Sequence, residues 1–250
     1  MPRHLKIIHL KTVTSTNDYA HKLAEKGEKE ITVVLADEQT KGRGRLKREW
    51  RSPKNKGIYA SFILRPKNRG KIPLLCLIVS LSILKALKDI LPLKIKWPND
   101  LMAGNKKIAG VLLEANTGPT HEKFVIAGIG LNLDTEKKDL PLHATSVYLE
   151  TRKHYASGGI FNKIIKEFIR LYRDFNKNEL KAVLEEIKLN METLNKPVKV
   201  RIKNQWIKGI ASGLAEDGAL ILKDKDKNLK RIVCSEIIHL KTRSANGRKG

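Results

Sequence analysis

The chain has 250 residues, of which 41% are hydrophobic, enough to bury a full core as one large domain or as a large domain with a small companion. Its longest uncharged apolar run, 72–84, is followed by Lys85, Lys88 and Asp89 and is too short to span a bilayer, so it reads as a buried helix and no membrane partner is expected. The net charge of +24 invites a nucleic-acid partner, but the excess is spread: the last sixty residues hold fourteen bases and six acids, and the remainder lies in the first 190. No helix-turn-helix, zinc finger or stacking platform is visible, and aromatics are only 5%, so specific DNA binding is not expected.

The opening MPRHLKIIHLKT has no apolar h-region or cleavage site, which points to a cytoplasmic protein. Residues 7–10 read as a short strand, and TSTND at 14–18 supplies capping side chains for a helix over 19–26 that Gly27 stops. The β-branched run 31–36 reads as a buried strand, and GIYASFIL at 57–64 reads as its neighbour. Between them, residues 37–56 carry eight Lys or Arg against three acids, with Gly42 and Gly44 flanking Arg43 and only Leu46 and Trp50 able to anchor the segment. Arginine forks neutralise phosphoryl oxygens bidentately, so this loop suits a flexible segment that orders over a polyanion; the bland alternative is a surface loop with surplus charge.

A helix is expected over 73–91, then a half-buried strand at 93–97 ended by Pro98, a turn at 103–105 and a strand at 107–114, the two strands forming a hairpin. Residues 123–133 are apolar on both faces and suit a central strand, and 160–175 carry the stripe of an amphipathic helix. After Met191 the texture changes to short alternating segments at 198–202, 206–211, 219–222 and 231–234, a small all-β module that cannot hold much core and is expected to dock on the larger domain. The division expected is 1–190, 191–240 and a disordered basic tail over 241–250. Cys76 and Cys234 read as small core residues, not as a disulfide or metal pair.

Several chemistries are missing from the sequence: there is no P-loop, no HExxH, no paired-cysteine metal site and no GxSxG elbow. GIG at 128–130 lies inside a strand and lacks a third glycine, which excludes a dinucleotide fingerprint. Four separated segments are informative jointly: TSTN (14–17), EQTKGRGRLKREW (38–50), KWPND (96–100) with KIAGVLLE (107–114), and GIGLNL (128–133). In this order and spacing they resemble the biotin protein ligases over about residues 7–150, with a weaker match to that family's C-terminal domain.

The resemblance implies an α+β fold, a mixed sheet flanked by helices and related to class II aminoacyl-tRNA synthetases, with a small C-terminal SH3-like β-barrel. It implies two steps: biotin's carboxylate attacks the α-phosphorus of ATP to give biotinyl-5′-AMP and pyrophosphate, and a lysine of a biotin carboxyl carrier protein domain then attacks that anhydride. Mg²⁺ and a homodimer are further implications. Arg45, Lys107 and Arg48 are the implied catalytic cations, suited to bringing a carboxylate and a triphosphate together. Ser15, Thr16, Asn17 and Gln39 offer the donors and acceptors that a ureido ring needs, joined by Arg43, Gly44, Arg45, Lys107 and Gly110 around biotin. Arg45, Arg48, Trp50, Asn99, Asp100 and Asn132 are implied around ATP, with Asp100 the candidate oxygen ligand for the metal.

Each has a plainer role to weigh. Lys107 could be an exposed hairpin lysine; Ser15, Thr16 and Asn17 could be helix caps; Asn132 could be a satisfied strand-end amide; Trp50 could be a loop anchor; and Gly110 could mark a bulge. Lys47 stands where the resemblance calls for glycine. The sequence leaves no room for an N-terminal winged helix, so no repressor role is expected. The rivals are a lipoate or octanoate transferase on the same fold, which would leave Ser15, Thr16 and Gln39 without a ureido group to meet, and a non-catalytic basic nucleic-acid-binding module.

Overall fold

The computed structural model describes residues 5–116, 124–202, 205–233 and 235–240; Cys234 and the tail 241–250 lie outside the described residues. The larger unit is a seven-stranded sheet built from β1 (Lys6–Val13), β2 (Thr32–Gln39), β3 (Gly57–Leu64), β4 (Lys94–Lys96), β5 (Asp100–Ala103), β6 (Lys106–Asn116) and β7 (Phe124–Asn132). The strand order is β1-β2-β3-β7-β6-β5-β4. Only β1 and β2 run parallel, joined across α1 (Thr16–Glu25), as a parallel pair requires a crossover. The other pairs are antiparallel, so the sheet is mixed.

Alternation along β7 explains how the sheet acquires a core on one face and a site on the other. Val125, Ala127, Ile129 and Leu131 point into the large core with α2 (Ile72–Leu87) and α4 (Ser157–Lys177), while Phe124 and Ile126 pack under α1 with Ala20, Ala24, Val34 and Ile63. Continuing on the α1 face, the next alternate positions are Gly128, Gly130 and Asn132, which therefore leave a hollow where the helix has ended. Helix α2 is apolar nearly all round because it is buried nearly all round; its two serines are satisfied internally, Ser80 Oγ donating to the Cys76 carbonyl and Ser82 Oγ to that of Val79. With the turn before it the helical stretch Arg69–Leu87 is, contrary to the sequence reading, long and apolar enough to cross a membrane by length and composition, but it sits inside the fold, with α2 between the sheet and α4. Cys76 is buried in this core.

The small unit is a five-stranded antiparallel sheet of β8 (Pro197–Ile202), β9 (Gln205–Leu214), β10 (Leu220–Lys223), β11 (Leu229–Ile232) and β12 (Ile237–His239), in the order β11-β10-β9-β8-β12. Its inward residues Val198, Val200, Ala211, Leu220 and Leu222 belong to the same core cluster as α2 and α4. Trp97, fully buried, donates from Nε1 to the Gly218 carbonyl at 3.0 Å, tying the two units together.

Several boundaries differ from the sequence reading. Helix α1 starts at Thr16, with Ser15 as N-cap accepting from Asp18 N, three residues before the expected start. The strands at 93–97 and 107–114 do not form a hairpin: β5, only four residues long, lies between them, so the segment is a three-strand meander whose second turn holds Gly104. Leu46 is not an anchor; it is 61% exposed and left-handed. Helices α3 (Val147–Thr151) and α5 (Lys181–Asn190) and strand β12 went unread, the first and last being too short for a period to show.

Two buried phenols make a stability prediction. Burial, with the Glu30 carboxylate that Tyr172 Oη bonds at 2.5 Å, raises the Tyr172 pKa, and burial aided by Asp139 and Glu38 raises that of Tyr59. A folded-state pKa above the unfolded value contributes stability that is complete below the unfolded pKa, near 10, and is lost as pH rises beyond it. The unfolding free energy from denaturant titrations is expected to hold to about pH 9.5 and then to fall with a slope approaching about 1.4 kcal/mol per phenol per pH unit. Tyr172→Phe should shallow that fall; an unchanged alkaline slope in the double variant with Tyr59→Phe would refute the assignment.

Candidate active site

All fourteen residues singled out in the sequence line one cavity of about 800 Å³ on the α1 face of the large sheet. That volume is in the range of small-molecule and cofactor sites. Its floor is β7, where side chains would intrude. A Cβ on Gly128 would lie 2.1 Å from Asn17 Oδ1, and one on Gly130 would lie 2.3 Å from the Trp50 ring. Neither distance is tolerable, so glycine is what admits these neighbours.

One end of the cavity is a closed hydrogen-bonded set. Gln39 Oε1 accepts from Thr16 N at 2.8 Å and Thr16 Oγ1 at 3.0 Å, while Gln39 Nε2 donates to Ser52 Oγ at 2.8 Å. Ser61 Oγ lies 2.6 Å from Asn17 Oδ1 and 2.8 Å from Thr16 Oγ1, and Asn17 Nδ2 donates to Glu114 Oε2 at 2.7 Å. Glu114 also pairs with Arg43 at 3.3 Å, and Arg43 pairs with Asp18 in the first turn of α1. Ser15 caps the helix and lines the cavity as well, so the cap does not remove it from the site.

The other end is cationic. Six Lys or Arg line the cavity against three carboxylates, a surplus suited to anionic ligands. The loop after β2 folds as a narrow ribbon: Trp50 N donates to the Gly42 carbonyl at 2.9 Å, Gly44 N to that of Arg48 at 2.7 Å, and Arg43 bridges to Glu49. At its tip Leu46 and Lys47 have φ of 56° and 59°, so the place where the resemblance asks for glycine is left-handed here and carries a side chain nonetheless.

Below the tip, Arg45 Nη1 donates to Asn99 Oδ1 at 2.9 Å, and Asn99 Nδ2 to the Val111 carbonyl at 3.0 Å, so Asn99 fixes Arg45 to β6. Lys107 Nζ lies 2.6 Å from Asp100 Oδ1 and 5.2 Å from the centroid of the Trp50 ring, above Gly110. Trp50 Nε1 is buried and, among the described residues, has no hydrogen-bond partner, whereas Asp100 Oδ1 is held by the Lys107 ammonium. Asn132 Nδ2 donates to the Thr145 carbonyl at 3.0 Å, which makes it a held strand-end amide on the cavity wall.

Sequence reasoning missed the wall contributed by the small sheet. Arg45 Nη2 donates to the Ser235 carbonyl at 3.0 Å, Arg48 pairs with Glu236, and Trp206, Ile237 and Ile238 complete that side. It also missed Gly128 and Gly130 as the floor and His143 at the rim, whose carbonyl accepts from Lys107 N at 2.9 Å.

Comparison with known proteins agrees with this architecture. The biotin/lipoate A/B protein ligase family model matches residues 9–132, and the model of the biotin protein ligase C-terminal domain matches residues 193–240. The bifunctional ligase/repressor BirA of Bacillus spizizenii is 32% identical over 247 residues, covering 95% of this chain and 74% of that protein. Biotin–[acetyl-CoA-carboxylase] ligase of Paracoccus denitrificans is 30% identical over 221 residues, covering 84% and 90%. Among solved structures, the biotin protein ligase of Aquifex aeolicus in complex with biotin and ATP superposes with a TM-score of 0.82 at 32% identity, over 94% of this chain and 99% of that one. With both family models in the expected order and full-length similarity to a solved ligase, the chain belongs to the biotin/lipoate A/B protein ligase family and, within it, to the biotin protein ligases.

Proposed function

We propose that this chain is an ATP-dependent biotin–protein ligase that makes biotinyl-5′-AMP and pyrophosphate and then transfers biotin to a lysine of the biotin carboxyl carrier domain of a carboxylase. The observation that carries this reading is the meeting, in one cavity, of the hydrogen-bonding set around Thr16 and Gln39 with the cations Arg45, Arg48 and Lys107. The first set suits the ureido ring, whose oxygen accepts and whose two N–H groups donate. Because Gln39 and Thr16 already hold one another, little ordering is left to be done on binding.

The cations answer the electrostatic problem of the first step. A biotin carboxylate oxygen bonds to the α-phosphorus as the bond from that phosphorus to the pyrophosphate oxygen breaks, so negative charge gathers where Lys107 and Arg45 point. Asn99 holds Arg45 in place before the ligand arrives. The orphaned Trp50 Nε1, costly to bury unpaired, is a donor for a ligand acceptor, with Arg43, Gly44 and Gly110 shaping the biotin side and Asn132 the nucleotide side. In the second step the acceptor lysine's nitrogen bonds to the activated carbonyl carbon, the bond to AMP breaks, and the amine proton goes to solvent.

The donor set fits Mg²⁺ in a particular way. No cluster of three or more metal-ligating side chains exists among the described residues, but magnesium is commonly held by one carboxylate together with substrate phosphates, and Asp100, on the cavity wall beside Lys107, is such a carboxylate. Asp100 would hold the ion, which when bound would neutralise phosphate charge. A homodimer is supported by the family resemblance alone.

A lipoate or octanoate transferase would share the first family model, but a dithiolane or alkyl chain presents nothing to the Thr16–Gln39 set, and the match at 193–240 is to a biotin protein ligase domain. The test is pyrophosphate release from ATP and magnesium with biotin, lipoate or octanoate as the acid. Release with biotin alone is expected; release with lipoate or octanoate instead would move the chain to the sister activity.

A further inference from the structure

The outward face of the small sheet is unusual for a surface of so small a unit. Register places Lys199 of β8 between Lys208 of β9 and Ile238 of β12, and Arg201 of β8 opposite Trp206 of β9. Directly opposed residues project to the same side, so these side chains form one patch, while Val198 and Val200 project inward and are buried. Within it Trp206, Ile210 and Ile238 are 37%, 43% and 47% exposed, and Lys199 Nζ lies 4.8 Å from the Trp206 ring centroid.

Two further features give the patch a direction. Among the described residues its two lysines, Lys199 and Lys208, pair with no carboxylate: the alternate outward positions of β9 are Trp206, Lys208, Ile210 and Ser212, and the acid at the border, Glu236, is already engaged by Arg48 and by the patch's own Arg201. It is also continuous with the active cavity, because Trp206 and Ile238 line that cavity's wall.

We infer that this face seats the acceptor protein during biotin transfer, and that the acceptor presents to it an apolar spot bordered by carboxylates. The inference rests on the proposed ligase reading. A lysine that must reach an activated carboxyl inside the cavity belongs to a domain that must rest on the rim, and here the rim runs without a break onto exposed aromatic and branched side chains. A central Trp with aliphatic neighbours is the composition of a binding hot spot, and the surrounding cations would speed encounter with an acidic partner. A phosphate backbone would use the cations but would leave Ile210 and Ile238 without a role, which favours protein over nucleic acid.

The test uses Lys208→Glu and Ile210→Ser, neither of which lines the cavity. Transfer is followed to a purified biotin carboxyl carrier domain of acidic net charge, and in parallel to hydroxylamine, a nucleophile too small to dock. Each variant is expected to raise KM for the carrier domain about tenfold, and the double variant more, with biotin-dependent pyrophosphate release and hydroxylamine capture within about twofold of the parent. An unchanged carrier KM in the double variant, with normal pyrophosphate release, overturns the docking face and leaves the ligase reading standing. No pyrophosphate release by the parent chain overturns the ligase reading itself. Should Lys208→Glu weaken binding of a labelled DNA duplex, or dissociate a dimer in sedimentation, with carrier KM unmoved, the face belongs to nucleic acid or to a second copy and the inference fails.

Discussion

Lys107→Ala is expected to reduce biotin-dependent pyrophosphate release by about 10²- to 10³-fold while leaving the melting temperature within a few degrees of the parent, the loss typical of removing one preorganised charge from a site where charge develops. The side chain stands over the cavity with its Nζ between Asp100 and the Trp50 ring, and it packs into no core, so its removal costs little folding energy. Arg45→Ala should be as damaging to catalysis and slightly more to order, because it also frees Asn99 Oδ1 and the Ser235 carbonyl. Lys107→Arg keeps the charge but not the reach, and should recover part of the activity. Pyrophosphate release near the parent rate in both alanine variants would mean that the cationic end does not serve adenylation.

The second large effect is expected at the floor. Gly130→Ala would put a methyl 2.3 Å from Trp50 Cε2, and because the opposing atom belongs to a rigid ring the indole must leave its seat. Biotin affinity should fall at least about 100-fold, which is about 2.7 kcal/mol. Gly128→Ala drives into Asn17, the residue that links Ser61 and Glu114, so it should cost about 1–3 kcal/mol of stability in addition to binding. Gly213 in the small sheet is the control: its nearest neighbour would be 3.8 Å from a new Cβ, and alanine there should leave both quantities unchanged. Calorimetric titration with biotin and thermal melts report the two separately. Binding by Gly130→Ala within threefold of the parent would show that Trp50 and the floor are not part of the ligand's seat.

What was legible in the sequence was local chemistry; what was not was partnership across the chain. The capping string at 14–18, the Gly–Arg loop, KWPND and GIGLNL are each short patterns whose residue types announce a need, and the fold brings Ser15, Thr16, Asn17, Gln39, Arg45, Asn99, Asp100 and Asn132 from them to one cavity. The meander through β5 was misread as a hairpin because four residues cannot establish a period of two. The contact of Arg45 with the Ser235 carbonyl had no signal at all, since every residue offers a carbonyl. Glu236 and Trp206 sat in a stretch that read as an ordinary β module, and only the docking of that module turns them toward the site. Gly128 and Gly130 were visible within GIGLNL but carried no site role of their own, because it is alternation beneath α1 that assigns them to the floor.

The loop ribbon is fastened by residues that lie 188 and 190 positions further along the chain. During synthesis, the capping string, the loop and the glycine floor all leave the ribosome long before Ser235 and Glu236 do. A nascent or prematurely released chain that lacks Ser235 and Glu236 therefore holds the residues of the cavity's floor, yet its arginine loop has neither of these two partners to latch onto. Among translation products, the fully fastened site is reserved for chains that have been read at least as far as β12.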